Sequence, residues 1–362
     1  MNRATKLLQR RGAAMGLAAA LALQPCVLLA QTAAPDPAAA PKAAPAAPKA
    51  AAPAAEPAKP KYDAEAFQEA VNTIVKAFDA GDHAKLDSLH DEYLELLRKG
   101  GEGRRMLDAF AAVFEQYFRA EHRDPLEKMF AAWKQAAPQS KLRPAAEGAM
   151  YRAFAWEARG AGPYSQVPED ARKKFRENLE HATQVIEQGQ AQGRETPLWY
   201  WTAITTGGAI GAPAGALDRF FQEGAAKFPL YMPLYYARIT FLLPQWGGDF
   251  GRVDSFIRAA VARTQATEGT TFYSILYADV VRSSPAADFF KNTRASWPLM
   301  KHALEDELAL GMGDLNRYAA FACLARDRDT TRELIAELGD KLQLGTSGPI
   351  SNDACKELAN GK

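Results

Sequence analysis

From Tyr62 onward, apolar residues recur at helical spacing. Phe67, Val71, Ile74, Val75 and Phe78 form one stripe, which Gly81 closes. Asp82 is placed to cap the next helix, whose stripe is Leu86, Leu89, Tyr93, Leu96 and Leu97. Gly100 and Gly101 break it. Leu107, Phe110, Val113, Phe114 and Tyr117 mark a third helix. Leu126, Met129, Phe130 and Trp133 mark a fourth, which stops near Pro138, and Met150 to Trp156 belong to a fifth. A long polar helix follows from Pro168 to about Gly189. Sustained two-residue alternation is missing, and no Asn-Gly or Asp-Gly joins β-rich runs. The pattern predicts an all-α chain.

One phrase occurs twice. Pro197-Leu198-Trp199-Tyr200 returns 36 positions later as Pro233-Leu234-Tyr235-Tyr236. Leu217, Phe221 and Gly224 shift by the same 36 onto Val253, Ile257 and Ala260. A period of this size is the mark of stacked helix pairs. Trp201, Ile204, Phe221 and Pro229 stand at the mutual spacings of the Trp, Leu, Phe and Pro of a tetratricopeptide unit. The match is partial, since Thr205 and Leu217 hold positions where that pattern has other residues. The second unit is fainter, with Ala237 and Thr240 in place of Trp201 and Ile204. The expectation is a right-handed solenoid of antiparallel helix pairs built from degenerate tetratricopeptide-like repeats.

Leu242-Leu243-Pro244-Gln245-Trp246-Gly247-Gly248 is followed by a helix and then by Gly269-Thr270-Thr271-Phe272-Tyr273. This joint resembles one in a group of bacterial tetratricopeptide-like proteins of unknown function. They are similar in a Leu-Pro-x-Trp-Gly-Gly turn, an aromatic start to the next helix and a late Asn…Ala-Cys helix, here Asn316 to Cys323. The resemblance covers about residues 195–358. It implies a helical-repeat fold and no particular activity.

The N-terminus has another character. Residues 1–11 carry Arg3, Lys6, Arg10 and Arg11 and no acid, and an Ala/Leu-rich run extends from Ala13 to Ala30. This is the layout of a secretory signal peptide with an exit at Ala30. Gln24 and Pro25 interrupt the run, which argues against a permanent span of about 20 apolar residues. An inner-membrane anchor formed by an uncleaved signal is the alternative. Residues 31–61 are nearly all Ala, Pro and Lys, too poor in bulky apolar side chains to order themselves. Such a spacer reaches on the order of 90 Å when extended like polyproline. The expected organisation is therefore a signal peptide (1–30), a disordered spacer (31–61), an N-terminal helical region (62–160) and a repeat region (161–362). Gly160-Ala161-Gly162-Pro163 marks the boundary between the last two.

Charge narrows the partners. The precursor has 44 basic and 43 acidic residues, net +1. Cleavage would remove four basic residues and leave 40 against 43, net −3. That balance supplies no basic patch for nucleic acid and no pull toward an anionic membrane. Cysteine use agrees with export. Cys26 would leave with the signal, and Cys323 and Cys355 remain as an even pair for a structural disulfide.

Catalytic signatures are sparse. There is no Gly-x-Ser-x-Gly elbow and no His-Glu-x-x-His. His83, Asp87 and His90 share a helix face, but two turns separate the histidines by about 10 Å, too far for one ion. A solvated polar face is expected there, with no metal and no cofactor. The remaining histidines, His122, His181 and His302, are expected at the surface. Glu305-Asp306-Glu307 is expected to be solvated too. Gly207-Gly208-Ala209-Ile210-Gly211 reads as the turn inside a helix pair. Asp249 reads as a helix cap.

The aromatic density between Trp199 and Trp246 is the one feature with binding character. Packing between repeats is one reading. The other is that Trp199, Tyr200, Tyr236 and Trp246 line a surface that grips a protein or peptide, since aromatic residues make good interface anchors. The functional expectation is a non-catalytic, exported scaffold of the bacterial envelope, periplasmic or secreted, with an unknown protein or peptide partner. A glycan hydrolase or lyase on a helical toroid is one alternative, and small-ligand binding in an aromatic groove is another.

Overall fold

A computed structural model describes residues 61–283, 288–344 and 351–361. The expected signal peptide and nearly all of the expected spacer lie outside these residues. The described residues form seventeen α-helices and no strand. None of these helices is long and apolar enough to cross a membrane.

Local signals set most boundaries. Helix α1 (Ala64–Asp79) begins where the Asp63 carboxylate accepts the N–H of Ala66 at 2.9 Å. Asp82 caps α2 (His83–Lys99) in the same way through Lys85. Gly100 ends α2 in the left-handed region, at φ 67°, where a β-carbon is strained. A turn carrying Arg104 and Arg105 leads to α3 (Asp108–Phe114), which is shorter than the apolar spacing suggests. Helices α4 (Arg123–Ala136), α5 (Arg143–Arg159) and α6 (Glu169–Gln188) follow. Helices α5 and α6 pack along their lengths, so Gly160–Pro163 joins two intimate neighbours.

After the one-turn helix α7 (Gln190–Gly193) come the two copies of the repeated phrase. They open α8 (Pro197–Ile210) and α10 (Met232–Thr240), with α9 (Ala214–Lys227) between them and α11 (Phe250–Glu268) after them. Proline stands in the first turn of both α8 and α10, where its missing N–H costs nothing. Asp249 caps α11 by accepting the N–H of Arg252 at 2.9 Å. The chain continues through α12 (Thr271–Ser283), α13 (Phe289–Asn292), α14 (Trp297–Ala309), α15 (Leu315–Leu324), α16 (Arg328–Leu338) and α17 (Asn352–Ala359).

Helices α5, α8, α10, α12 and α14 form a row in which each touches the next. Helices α6, α9 and α11 flank that row. The predicted repeat partners Leu217, Phe221, Gly224, Val253, Ile257 and Ala260 are all buried. Helix α3 packs against α1 and also reaches α5 and α10. The Phe114 ring meets Trp201 of α8 at 6.2 Å, and the Tyr62 N–H bonds the Leu310 carbonyl at the end of α14. The N-terminal helices are therefore packed into the row and share its core.

Three local expectations are corrected. Gly207 and Gly208 lie inside α8, and only Gly211 makes the turn, at φ 85°. Gly208 is glycine because the Phe241 ring crosses it. A β-carbon there would stand 2.0 Å from Phe241 Cζ. The His83–Asp87–His90 face is not solvated. Asp87 accepts hydrogen bonds from Trp133 Nε1 at 2.9 Å and Ser140 Oγ at 2.6 Å, while His90 is 1% exposed. The acid run on α14 is solvated only at Glu305, whose side chain is 52% exposed. Glu307 is fully buried, and Asp306 accepts the N–H of Thr270 at 2.6 Å at the start of α12.

Candidate functional site

Charged groups on several helices act on Tyr236 or on one another. Glu115 stands at the end of α3, Arg152 on α5, Trp201 on α8 and Tyr236 on α10. Asp279 and Arg282 stand on the last turns of α12, Glu307 on α14 and Arg317 on α15. Three acid–guanidinium pairs result. Arg152 donates to Glu115 at 3.0 Å and lies over the Trp201 ring at 4.8 Å. Arg282 donates to Asp279 at 2.9 Å. Arg317 donates to Glu307, which also accepts from Ser274 Oγ.

The groups feel one another. Asp279 has its carboxyl pushed above the usual range by loss of water, although Arg282 opposes this and the Glu115 charge adds to it. Tyr236 is pushed up to about 12, again mainly by loss of water, with Asp279 adding and Arg282, Arg317 and Arg105 opposing. Burial and the Arg282 charge both work against the charged form of Arg317, while the Tyr236 oxygen supports it. The Glu307 carboxylate lies in direct contact with the Arg317 guanidinium and forms an ion pair with it.

This cluster is polar and partly exposed. The Arg282 side chain is 40% exposed and that of Glu115 also 40%, against 21% for Arg317. Tyr236 is half-buried. A more closed cluster lies next to it. Glu268 at the end of α11 is fully buried and receives Arg104 Nε at 2.6 Å and Arg105 at 3.0 Å. Asp108 accepts a long 3.5 Å bond from Arg105, and Tyr231 is buried beside it.

The four aromatic residues expected at a binding surface have separate surroundings. Trp199 is buried, with Nε1 donating to the Ile186 carbonyl at 3.0 Å and its ring edge-on to Phe220. Tyr200 is buried as well. Its hydroxyl donates to Glu223 at 2.6 Å and receives Lys227 Nζ at 3.2 Å. Neither ring faces solvent. Trp246 is half-buried and stacks edge-on with Phe241, their centroids 5.0 Å apart. The turn that carries it is tied to the end of α12 by Gln245 Nε2 donating to the Ser283 carbonyl, next to Arg282. Tyr236 and Trp246 are thus the two that keep exposure, and Trp199 and Tyr200 are packing groups.

Sequence reasoning passed over Glu115, Arg152, Asp279 and Arg317. One signal pointed to them: single charges inside otherwise apolar helix runs, such as Asp279 within Ile275 to Val281. A charge in such a run must find a partner or a watery cleft. Cys323 and Cys355 come together at disulfide distance, with Cα atoms 5.6 Å apart. Among the described residues no group of three His, Cys, Asp or Glu side chains is arranged to hold a metal. No family model, curated protein or solved structure matches the chain.

Proposed function

We propose that the protein is an exported, non-catalytic interaction module of the bacterial cell envelope, which holds a protein or peptide partner at the cleft around Tyr236. The row of helices from α5 to α14 is read as a degenerate solenoid of tetratricopeptide-like pairs, with α1 to α3 filling part of its inner side. In this reading the Phe110, Phe114 and Phe118 side chains, all fully buried, are permanent core. The free surface is then the end of the row where Arg152, Tyr236 and Arg282 gather.

The observation that carries the proposal is Tyr236 itself. It is a predicted anchor that keeps exposure, and it sits among charges brought by α12 and α15. Aromatic and arginine side chains are the residue types that dominate interface energetics. A non-catalytic role is preferred because the Tyr236 hydroxyl holds its proton more tightly than usual, the wrong direction for a tyrosine base. Export is supported by the basic-then-apolar start of the chain and by the Cys323–Cys355 pair, which suits an oxidising compartment.

Quantitative affinity capture from native envelope extract tests the proposal. Tyr236→Ala should retain the fold and lose a partner that the parent protein retains. Equal recovery of every captured protein by parent and variant would refute it.

A further inference from the structure

The chain enters the fold beside a cavity of about 550 Å³. Lys61, Tyr62 and Glu65 border it at the start of α1, and Leu96 of α2, Glu102 and Met106 border it across the way. Leu96 is half-buried and Met106 is buried, so part of the lining is apolar. Among the described residues the Glu65 and Glu102 carboxylates have no partner. The point of entry is fixed. The Tyr62 N–H bonds the Leu310 carbonyl at 2.7 Å, and a β-carbon at Gly311 would stand 3.3 Å from the Tyr62 carbonyl oxygen. Immediately before this anchored stretch the sequence reads Pro57-Ala58-Lys59-Pro60. Proline fixes its own φ and pushes the residue before it to extended backbone, so Lys59 is restricted as well. Four residues in a polyproline conformation reach about 12 Å, at about 3.1 Å each. The cavity is about 8 Å across, the cube root of its volume. Lys59 is the one charge among the four, and its sign is opposite to that of the two unpartnered carboxylates.

We propose that this cavity is the docking site for the end of the chain's own Ala/Pro/Lys segment, residues 57–60. The proline rings lie against Leu96 and Met106, and the Lys59 ammonium lies toward Glu65 and Glu102. A proline-rich segment is already extended before it docks, so seating it costs little conformational entropy. Its covalent attachment at Lys61 gives it an effective concentration in the millimolar range, so a weak contact suffices. The folded part then begins at about residue 57, and the direction in which the rest of the segment leaves it is set. This inference is independent of the reading of Tyr236.

The test is nuclear Overhauser spectroscopy on the full chain, labelled at the proline rings and at the Leu and Met methyl groups. Cross-peaks between the Pro57 ring protons and the methyl groups of Leu96 or Met106 are expected, since such peaks arise only between protons in close contact. Pro57→Ala should remove them and Pro45→Ala should leave them, which assigns them among the prolines of the segment. Glu65→Gln combined with Glu102→Gln should lower their intensity about twofold or more, because it removes the charge that Lys59 meets. A helical circular-dichroism signal equal to that of the parent shows that each variant is folded. Absence of any cross-peak from Pro57 to either methyl group would overturn the inference, as would peaks indifferent to the loss of both carboxylates. The same peaks in a mixture of one chain labelled only at proline and another labelled only at the methyl groups would overturn it too. The occupant would then be a second copy of the chain.

Discussion

The Nε2 atom of His90 lies 2.9 Å from the Oγ1 atom of Thr196, 106 positions further along the chain. Thr196 caps α8 by accepting the N–H of Leu198, and His90 Nδ1 faces the Asp91 carboxylate at 3.1 Å. One buried pair thus fastens α2 to the start of the helix that carries the first copy of the repeated phrase.

Breaking this pair should loosen the whole fold. His90→Ala should cost about 2–4 kcal/mol through the lost bond and the cavity left behind. Thr196→Val should cost about 1–2 kcal/mol, since it removes the hydroxyl and the cap but keeps the shape. Urea unfolding of the double variant should show a loss smaller than the sum. Additivity within about 0.5 kcal/mol would mean the two residues act independently.

Asp108 gives stability a pH dependence. Its carboxyl is pushed up from 3.8 to about 7, first by loss of water, with Arg105 opposing and Glu268 adding. The folded protein therefore holds a proton that the unfolded chain releases near 3.8. The contribution is full below that pH and is lost as pH rises through about 7. Asp108→Asn removes the effect. Its melting temperature should match the parent near pH 4 and exceed it at pH 8, by about 1–3 kcal/mol in stability terms. The weak 3.5 Å bond to Arg105 limits the opposing loss. An asparagine variant less stable than the parent at pH 8 would contradict this.

The last helix depends on the cysteine pair. Cys355 is fully buried on α17, and Cys323 is 7% exposed on α15. Asn352 assists by accepting the Leu344 N–H at 2.9 Å and donating to the Leu342 carbonyl at 3.1 Å. The denatured, unreduced protein should show no thiol reactive at either position. Cys355→Ala should cost about 2–4 kcal/mol, the usual return for closing a loop of this size. Alkylation of both cysteines without reductant would show that the bridge does not form.

The all-α fold was legible because helices announce themselves locally. The stripes, the aspartate caps at 82 and 249 and the glycine stop at 100 each depend on residues a few positions apart. The candidate site was half legible. Tyr236 stood out through its repeat, but the repeat also nominated Tyr200, which shares its register and not its surroundings. Tyr200 turns its hydroxyl to Glu223 on α9, while Tyr236 stands among charges brought by α12 and α15. Which face is spent on packing depends on neighbours far along the chain, and a sequence period does not record them. The burial of Glu307 and His90 was missed for the same reason. Ser274 and Thr196, which satisfy them, are distant in sequence.

The most direct test of the partner cleft is photo-crosslinking from a residue that replaces Arg282, in the full chain expressed in a bacterial host of related envelope type. The account predicts a discrete adduct with one partner, absent when the same crosslinker replaces Arg332 on α16 and absent in the Tyr236→Ala background. The same adducts from positions 282 and 332, or none from position 282, would contradict it.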